Sequence, residues 1–384
     1  MNKDAMSIPP DKLLAAYHER VERRTDVLLE RDQKLGANRT KINSYMENIG
    51  WPDLFGYDMN DFFNDPELAL ELTLRQTIFW LDNVDHDFNT EHLSVDASRS
   101  YWDITLLGQE IEYTRQGVPL FGPHPIAQSA DLALIPPYDF YTTGAMPGIL
   151  RKYEALRRLA AARYDGQIEI TFPHFERGPL DILVQLRGYE NTVADMGENP
   201  EFIHRFLALA VQERLRFERE RLAFLKTEQP RKKIGVADDW VNVPFITPRM
   251  FREFIAPVYR MIQRDEAMVE HFHTCGGYGT LAADLLDTLP DLQGIDIVPQ
   301  CNNLVQLDEA LPKHVAFYLN LLSVFTLTAV EEDQRRFLEM VARIGRQRKV
   351  VLCPGAIVRL HATYEEDIAR LNRFIALARG IFSA

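Results

Sequence analysis

From about residue 91 the chain alternates short apolar runs with longer helical patterns, and this rhythm limits its possible folds more than any other feature. The runs are Gln167–Phe172, Lys233–Ala237, His271–Thr274, Gly294–Val298, Val315–Leu319 and Lys349–Cys353, separated by patterns such as Leu180–Arg187, Pro248–Asp265 and Thr328–Gly345. The runs are too apolar to leave one sheet face in water, which predicts parallel strands buried under helices. Two weaker runs, around Glu91–Tyr101 and Gly117–Phe121, bring the count to eight. Eight strand–helix units predict an α/β fold of the (β/α)8 TIM-barrel type. A doubly wound open sheet is the alternative, but no run leads into a G-x-G-x-x-G turn.

Ahead of this region, residues 1–90 read as a helical cap or extension, with the barrel assigned to 91–384. Lys12–Leu35 is charged and amphipathic, and Asp65-Pro66 opens a second helix over Glu67–Leu81. The balance of 43 Lys+Arg against 56 Asp+Glu, a formal charge of −13, disfavours nucleic acid and anionic membranes as partners. Charges interrupt the N-terminal stretch where a signal core would lie, and no run of 18 apolar residues follows. A cytoplasmic protein is expected. Three cysteines, Cys275, Cys301 and Cys353, are too few and odd for a disulfide framework, so metal or thiol chemistry gains weight.

His273 and Cys275 stand two apart at the end of a strand, which puts both side chains on one face. Cys353 ends the last apolar run, where a parallel strand brings it to the same end of the sheet. One imidazole and two thiolates suit Zn²⁺, and three protein ligands leave a fourth position open for chemistry. His271 is in phase with His273, and Cys301 follows another strand, so either is a further candidate ligand. The competing explanation is that these side chains only pack, as buried cysteine and strand histidine often do.

A barrel collects its chemistry at the C-terminal ends of its strands. Phe172–Glu176, Asp238-Asp239, Cys275-Gly276, Gln300–Asn303, Asn320 and Cys353 all fall there. Of the acidic pair, one carboxylate is expected at the mouth and the other as a helix cap, with Asp238 and Asp239 both kept as catalytic candidates. The proline-rich stretch Val118–Pro137 reads as a long loop over the site, and His124 and His174 as surface or structural histidines.

Gly178-Pro179-Leu180-Asp181 with its helix to Gly188, Ala237-Asp238-Asp239, His273-Thr274-Cys275-Gly276 and Cys353-Pro354-Gly355 together resemble the uroporphyrinogen decarboxylase superfamily. The His-x-Cys-Gly segment with a late cysteine is similar to its zinc-dependent, corrinoid-linked methyltransferase branch. The resemblance covers about residues 91–384 and implies zinc on His273, Cys275 and Cys353. It implies a barrel that moves a methyl group between a small substrate and the cobalt of a corrinoid (cobalamin) held by a separate protein, with Gly276, Asn302 and Asn320 at the cofactor side. The Arg-Gln-Ala-Gly-Arg type of motif with which porphyrinogen decarboxylases grip their substrate is not found near the chain start, so decarboxylation is the lesser alternative. Aromatic residues in the cap and loops, including Trp51, Phe55, Tyr57, Tyr101, Trp102, Phe121, Tyr138, Phe140 and Tyr141, favour a methoxylated substrate, with a thiol as the other option. The helical extension offers a surface for a homodimer or a protein partner. A third reading, a silent barrel used for binding, goes with a closed site in which Asp239, His271 or Cys301 supplies a fourth ligand.

Overall fold

The computed structural model describes residues 4–36, 40–46, 49–88, 92–175, 177–226, 228–355 and 359–383. Eight parallel strands run in chain order: β1 Lys41–Ile42, β2 Ser94–Asp96, β3 Glu169–Thr171, β4 Lys233–Ala237, β5 Met268–His273, β6 Gly294–Ile297, β7 Ala316–Asn320 and β8 Val350–Cys353. Six of them form one sheet in the order β1-β8-β7-β6-β5-β4, and β2 pairs separately with β3. A parallel bridge from Arg177, just after β3, to Ala237 of β4 joins the two sheets. No ladder links β1 to β2 among the described residues, so the strands follow the order of a (β/α)8 barrel with one thin seam.

The extension expected to be wholly helical supplies β1. Lys41 and Ile42 lie opposite Val351 and Leu352 of the last strand. Two residues are too few to show any periodicity, and their pairing is set by β8. Asp87 secures the segment: its carboxylate accepts from Ile42 N (2.9 Å) and its own N–H donates to Ile42 O (2.7 Å). Arg31 and Arg379, from the first and last long helices, both reach Asp87 at 3.0 Å. Conversely, Pro119–Phe121 is no barrel strand but pairs antiparallel with Ile111–Tyr113 as a hairpin outside the barrel.

The first long helix is Leu13–Leu35, and the second is Pro66–Asn83, where Asp65 caps the N–H groups of Glu67 (2.9 Å) and Leu68 (3.2 Å). Leu70, Leu74, Ile78 and Phe79 of this helix are buried in the main core, so the extension shares the barrel's interior packing. Helices Met146–Tyr164 and Tyr364–Phe382, not marked out by the sequence rhythm, complete the outer layer.

Candidate functional site

Strands β5 and β6 build the site through simple alternation. Phe272, Ile295 and Ile297 turn outward into the helical layer and are fully buried, which leaves His271, His273 and Asp296 on the interior face. Asp296 ties the two histidines together, accepting from His271 Nε2 at 3.0 Å and His273 Nδ1 at 2.9 Å. Tyr318 of β7 sets its ring edge-on to His271 at 4.9 Å. Cys353 lies opposite Asn320 and in phase with Tyr318, so its thiol belongs to the same interior face.

With Nδ1 held by Asp296, His273 presents Nε2 to the mouth. Nε2 lies 3.3 Å from Asp239 Oδ1 and 3.4 Å from Cys275 Sγ. Asp239 Oδ1 also accepts from Cys275 N at 3.1 Å, which fixes the start of the loop after β5. The donor atoms of Asp239, His273 and Cys275 all lie within 4.8 Å of one another. Two donors on a tetrahedral Zn²⁺ at about 2.0–2.3 Å stand about 3.3–3.8 Å apart, so the spacing to Nε2 is that of a tetrahedron's edges. Imidazole backed by a carboxylate is also the usual support of a histidine ligand. The residues present therefore fit a zinc ion.

The electrostatics agree. Burial opposes a charge on His273, but hydrogen bonds to Asp239, Asp296 and Cys275 outweigh it and push the imidazole up to about 12. Burial likewise opposes the Asp296 carboxylate, yet the two histidines hold it well below the usual range. Negative charge and a thiol converge on one point, where a divalent cation would take the place of the proton. Cys353 lies outside this three-residue group. Burial, and then the charge of the Asp296 carboxylate, push its thiol up to about 12.

The adjacent aspartates divide sharply. Asp238 is wholly buried and accepts from Leu180 N (3.2 Å), Asp181 N (2.8 Å) and the Tyr259 hydroxyl (3.0 Å). It caps the helix Pro179–Arg187, which precedes it in the chain rather than follows it. Gly178 makes room for this, since a Cβ there would lie 2.4 Å or less from the Asp238 carboxylate carbon. The Gly-Pro start and the Ala-Asp-Asp segment are thus two halves of one junction between β3 and β4. Asp239, next along, points to the mouth. Beside it, Arg177 pairs with Asp181 and Asp103 and stacks 3.8 Å over the ring of Tyr101, a residue held at φ 62°.

The remaining candidates have structural partners. Asn302 clamps the loops after β5 and β6, accepting from Tyr278 N (2.8 Å) and donating to Gly276 O (3.1 Å) and Val298 O (2.9 Å). Gly276 passes so close to Asn242 that a Cβ would meet its side chain at 2.3 Å. Asn320 ends β7 on the interior face beside Cys353. Cys301, which is exposed, and His271, which is half-buried, both lie outside the cluster. His124 Nδ1 donates to Gln185 O (2.6 Å) and His174 pairs with Glu218 (3.3 Å), as expected of structural histidines, while Glu176 lies outside the described residues. Asp296 escaped the sequence reading, although an acid in the middle of the apolar run Gly294–Val298 was the signal to follow.

A family model, that of uroporphyrinogen decarboxylase (URO-D), matches residues 53–375. The chain belongs to the URO-D family. The match begins inside the helical extension, in keeping with its packing into the barrel. This URO-D chain is 23% identical over 228 residues to a methylated-thiol–coenzyme M methyltransferase of Methanosarcina mazei. That alignment spans 58% of this chain and 58% of the relative. It also resembles the solved structure of a methyltransferase from Methanosarcina mazei, with a TM-score of 0.62 and 16% identity over 90% of this chain and 94% of that one. At that identity the structural likeness is one of fold. No helix among the described residues is long and apolar enough to cross a membrane.

Proposed function

We propose that this URO-D family chain is a zinc-dependent methyltransferase that moves a methyl group between a small substrate and the cobalt of a corrinoid carried by a partner protein. The observation that carries the reading is the convergence of Asp239, His273 and Cys275 on one point at the C-terminal rim, with Asp296 behind the histidine. Sequence similarity to a methylated-thiol–coenzyme M methyltransferase supports methyl transfer over decarboxylation.

Zinc bound there would act as a Lewis acid that lowers the pKa of a thiol or draws charge from a departing atom. The chain's own groups do the rest. Asp296 fixes the tautomer and angle of His273 so that Nε2 stays presented. Asp239 serves as a ligand or as the anchor of Cys275 through its backbone N–H. Cys353, on the same interior face, is the further thiolate that the family resemblance implies. Asp238 acts at one remove, holding the β4 rim by capping the neighbouring helix.

Substrate preference shifts towards sulfur. Most of the rings that favoured a methoxylated compound are committed to packing: Trp51 stacks on Phe55 and meets Phe79 and Trp80, and Phe140 packs on Phe172, Phe217 and Phe224. Tyr101, stacked under Arg177, remains near Asp239. A methylated thiol is therefore the first donor to test, with a methoxylated aromatic second.

The test is zinc content per chain in native protein and in Cys353→Ser, followed by transfer of methyl from each donor to free cob(I)alamin. About one zinc and transfer from the sulfur donor support the reading. Protein purified without chelator that holds no zinc and moves no methyl group would sink it. If Cys353→Ser keeps its zinc, the ligands are Asp239, His273 and Cys275; if it loses the metal, Cys353 is a ligand.

A further inference from the structure

A second cavity, of about 590 Å³, opens above the end of β2, between the Ile111–Tyr113 hairpin strand and the start of the helix Met146–Tyr164. It shares no lining residue with the metal cluster. Its volume lies within the usual range for small-molecule sites. Lys152 lines it, 7% exposed, and its Nζ has no hydrogen-bond partner. No carboxylate forms an ion pair with that ammonium, although the charge of Asp96 reaches it; rings surround it, 4.5 Å to the centroid of Phe63 and 5.2 Å to that of Phe62. Arg99 lines the same cavity with its guanidinium 4.7 Å from the Phe63 centroid and 4.8 Å from that of Tyr113, and bonds only neutral oxygens, Asn60 Oδ1 (2.9 Å) and Asn64 Oδ1 (3.4 Å). Gln109, also lining and 2% exposed, leaves its carbonyl oxygen without a donor.

Asp96 and Asp58 act on Lys152 and Arg99 only through their charge, not through an ion pair; two cations without a paired carboxylate cost stability, and a buried ammonium with no acceptor is among the more expensive groups a core can hold. Burial, and then the charge of Arg99, bring Lys152 down to about 7. The geometry around these cations is open rather than filled: Gly148, one turn before Lys152 on the same helix face, has no atom within 4 Å of where its Cβ would stand. Trp102 supplies a further aromatic wall. Glu110 is the acid in the lining; it is solvent-exposed and forms no ion pair with either cation.

We infer that this cavity is a binding site for a small organic carboxylate with an aromatic body, its carboxylate held between Lys152 and Arg99 and its ring against Phe63, Trp102 and Tyr113. The oxygens of such a ligand would satisfy the orphaned ammonium, and the flat body suits walls made of rings. The inference does not depend on zinc or on methyl transfer.

The experiment is calorimetric titration of the full chain with benzoate, beside inorganic phosphate as an anion without a body. The expected result is benzoate binding that Lys152→Met weakens at least about tenfold, the loss of one charge-assisted contact. Arg99→Gln should weaken it similarly, which keeps the test usable should the first variant misfold. His273→Ala should leave benzoate affinity unchanged, so failure of the metal reading and failure of this one are told apart. No binding of benzoate, or binding by Lys152→Met and Arg99→Gln as tight as that of the native chain, overturns the site. Phosphate bound as tightly as benzoate overturns the assignment to an organic acid.

Discussion

Two stretches of one barrel rim carry opposite electrostatics. Above β4–β6, Asp239, Asp296 and the Cys275 thiol crowd one imidazole, a group that asks for a cation. Above β2, Arg99 and Lys152 share an aromatic cavity in which neither forms an ion pair, a group that asks for an anion. Net charge hides both, because a total of −13 is summed over the whole chain, where many acids face lysine or arginine. Local packing, which sets who is desolvated beside whom, decides what each stretch can hold.

The largest effect expected is at the first stretch. His273→Ala should release the metal and lower methyl transfer about 10³-fold, the loss of several kcal/mol of charge stabilisation, read by metal analysis and turnover side by side. Full retention of zinc in this variant would show that the convergence at Nε2 is not the metal's seat.

Asp238→Ala should come next, as a stability effect. It strips the acceptor from Leu180 N, Asp181 N and the Tyr259 hydroxyl in a fully buried place, at a cost of about 3 kcal/mol visible in the urea midpoint. Should the midpoint stay put while turnover falls, Asp238 would belong to the chemistry and not to the scaffold.

Asp296→Asn is smaller. It keeps the fold but loosens His273, and metal affinity should fall about 10- to 100-fold in a chelator competition. An unchanged affinity would detach Asp296 from the metal and leave it a partner of the two histidines alone.

The smallest effect belongs to the second stretch and has the opposite sign. At pH 7, Lys152→Met should raise stability by about 2 kcal/mol in the ligand-free protein, because an unsatisfied ammonium leaves the interior. Folding lowers this lysine from 10.5 to about 7, so between those pH values the unfolded chain binds a proton that the folded chain has released. Stability conferred through Lys152 therefore rises with pH across that window, and the Met variant should flatten the rise in thermal melts. A Met variant that melts lower at pH 7 would mean the ammonium is paired and the cavity is not anion-seeking.

The strand–helix rhythm was legible because β4–β8 are each long enough to show an apolar run, β3 sits within the alternating stretch Gln167–Phe172, and helices between parallel strands bury both faces. His273 and Cys275 were legible because two residues apart on a strand end is a local relation. The acidic pair was half legible: one functional and one capping carboxylate were expected, but which helix Asp238 caps depends on a contact made 57 and 58 residues back. The strand at Lys41–Ile42 was not legible, since a two-residue strand has no period and exists by pairing with Val351 and Leu352. Nor was the cavity at Lys152, a residue on a charged helix whose depth only the rings of Phe62 and Phe63 reveal.

By itself, then, the sequence determined the class of fold, the gathering of the candidate residues at strand ends, and the placing of His273 beside Cys275, all of which follow from periods of two and of 3.6 and from spacing within one element. The tertiary structure alone decided that Asp239 and not Cys353 stands nearest that pair, that Asp296 orients its histidine, and that the N-terminal segment lends the barrel a strand. The reason is physical: periodicity is written along the chain, whereas which charges meet, and how dry they are when they meet, is set by strands and helices brought together from far apart in it.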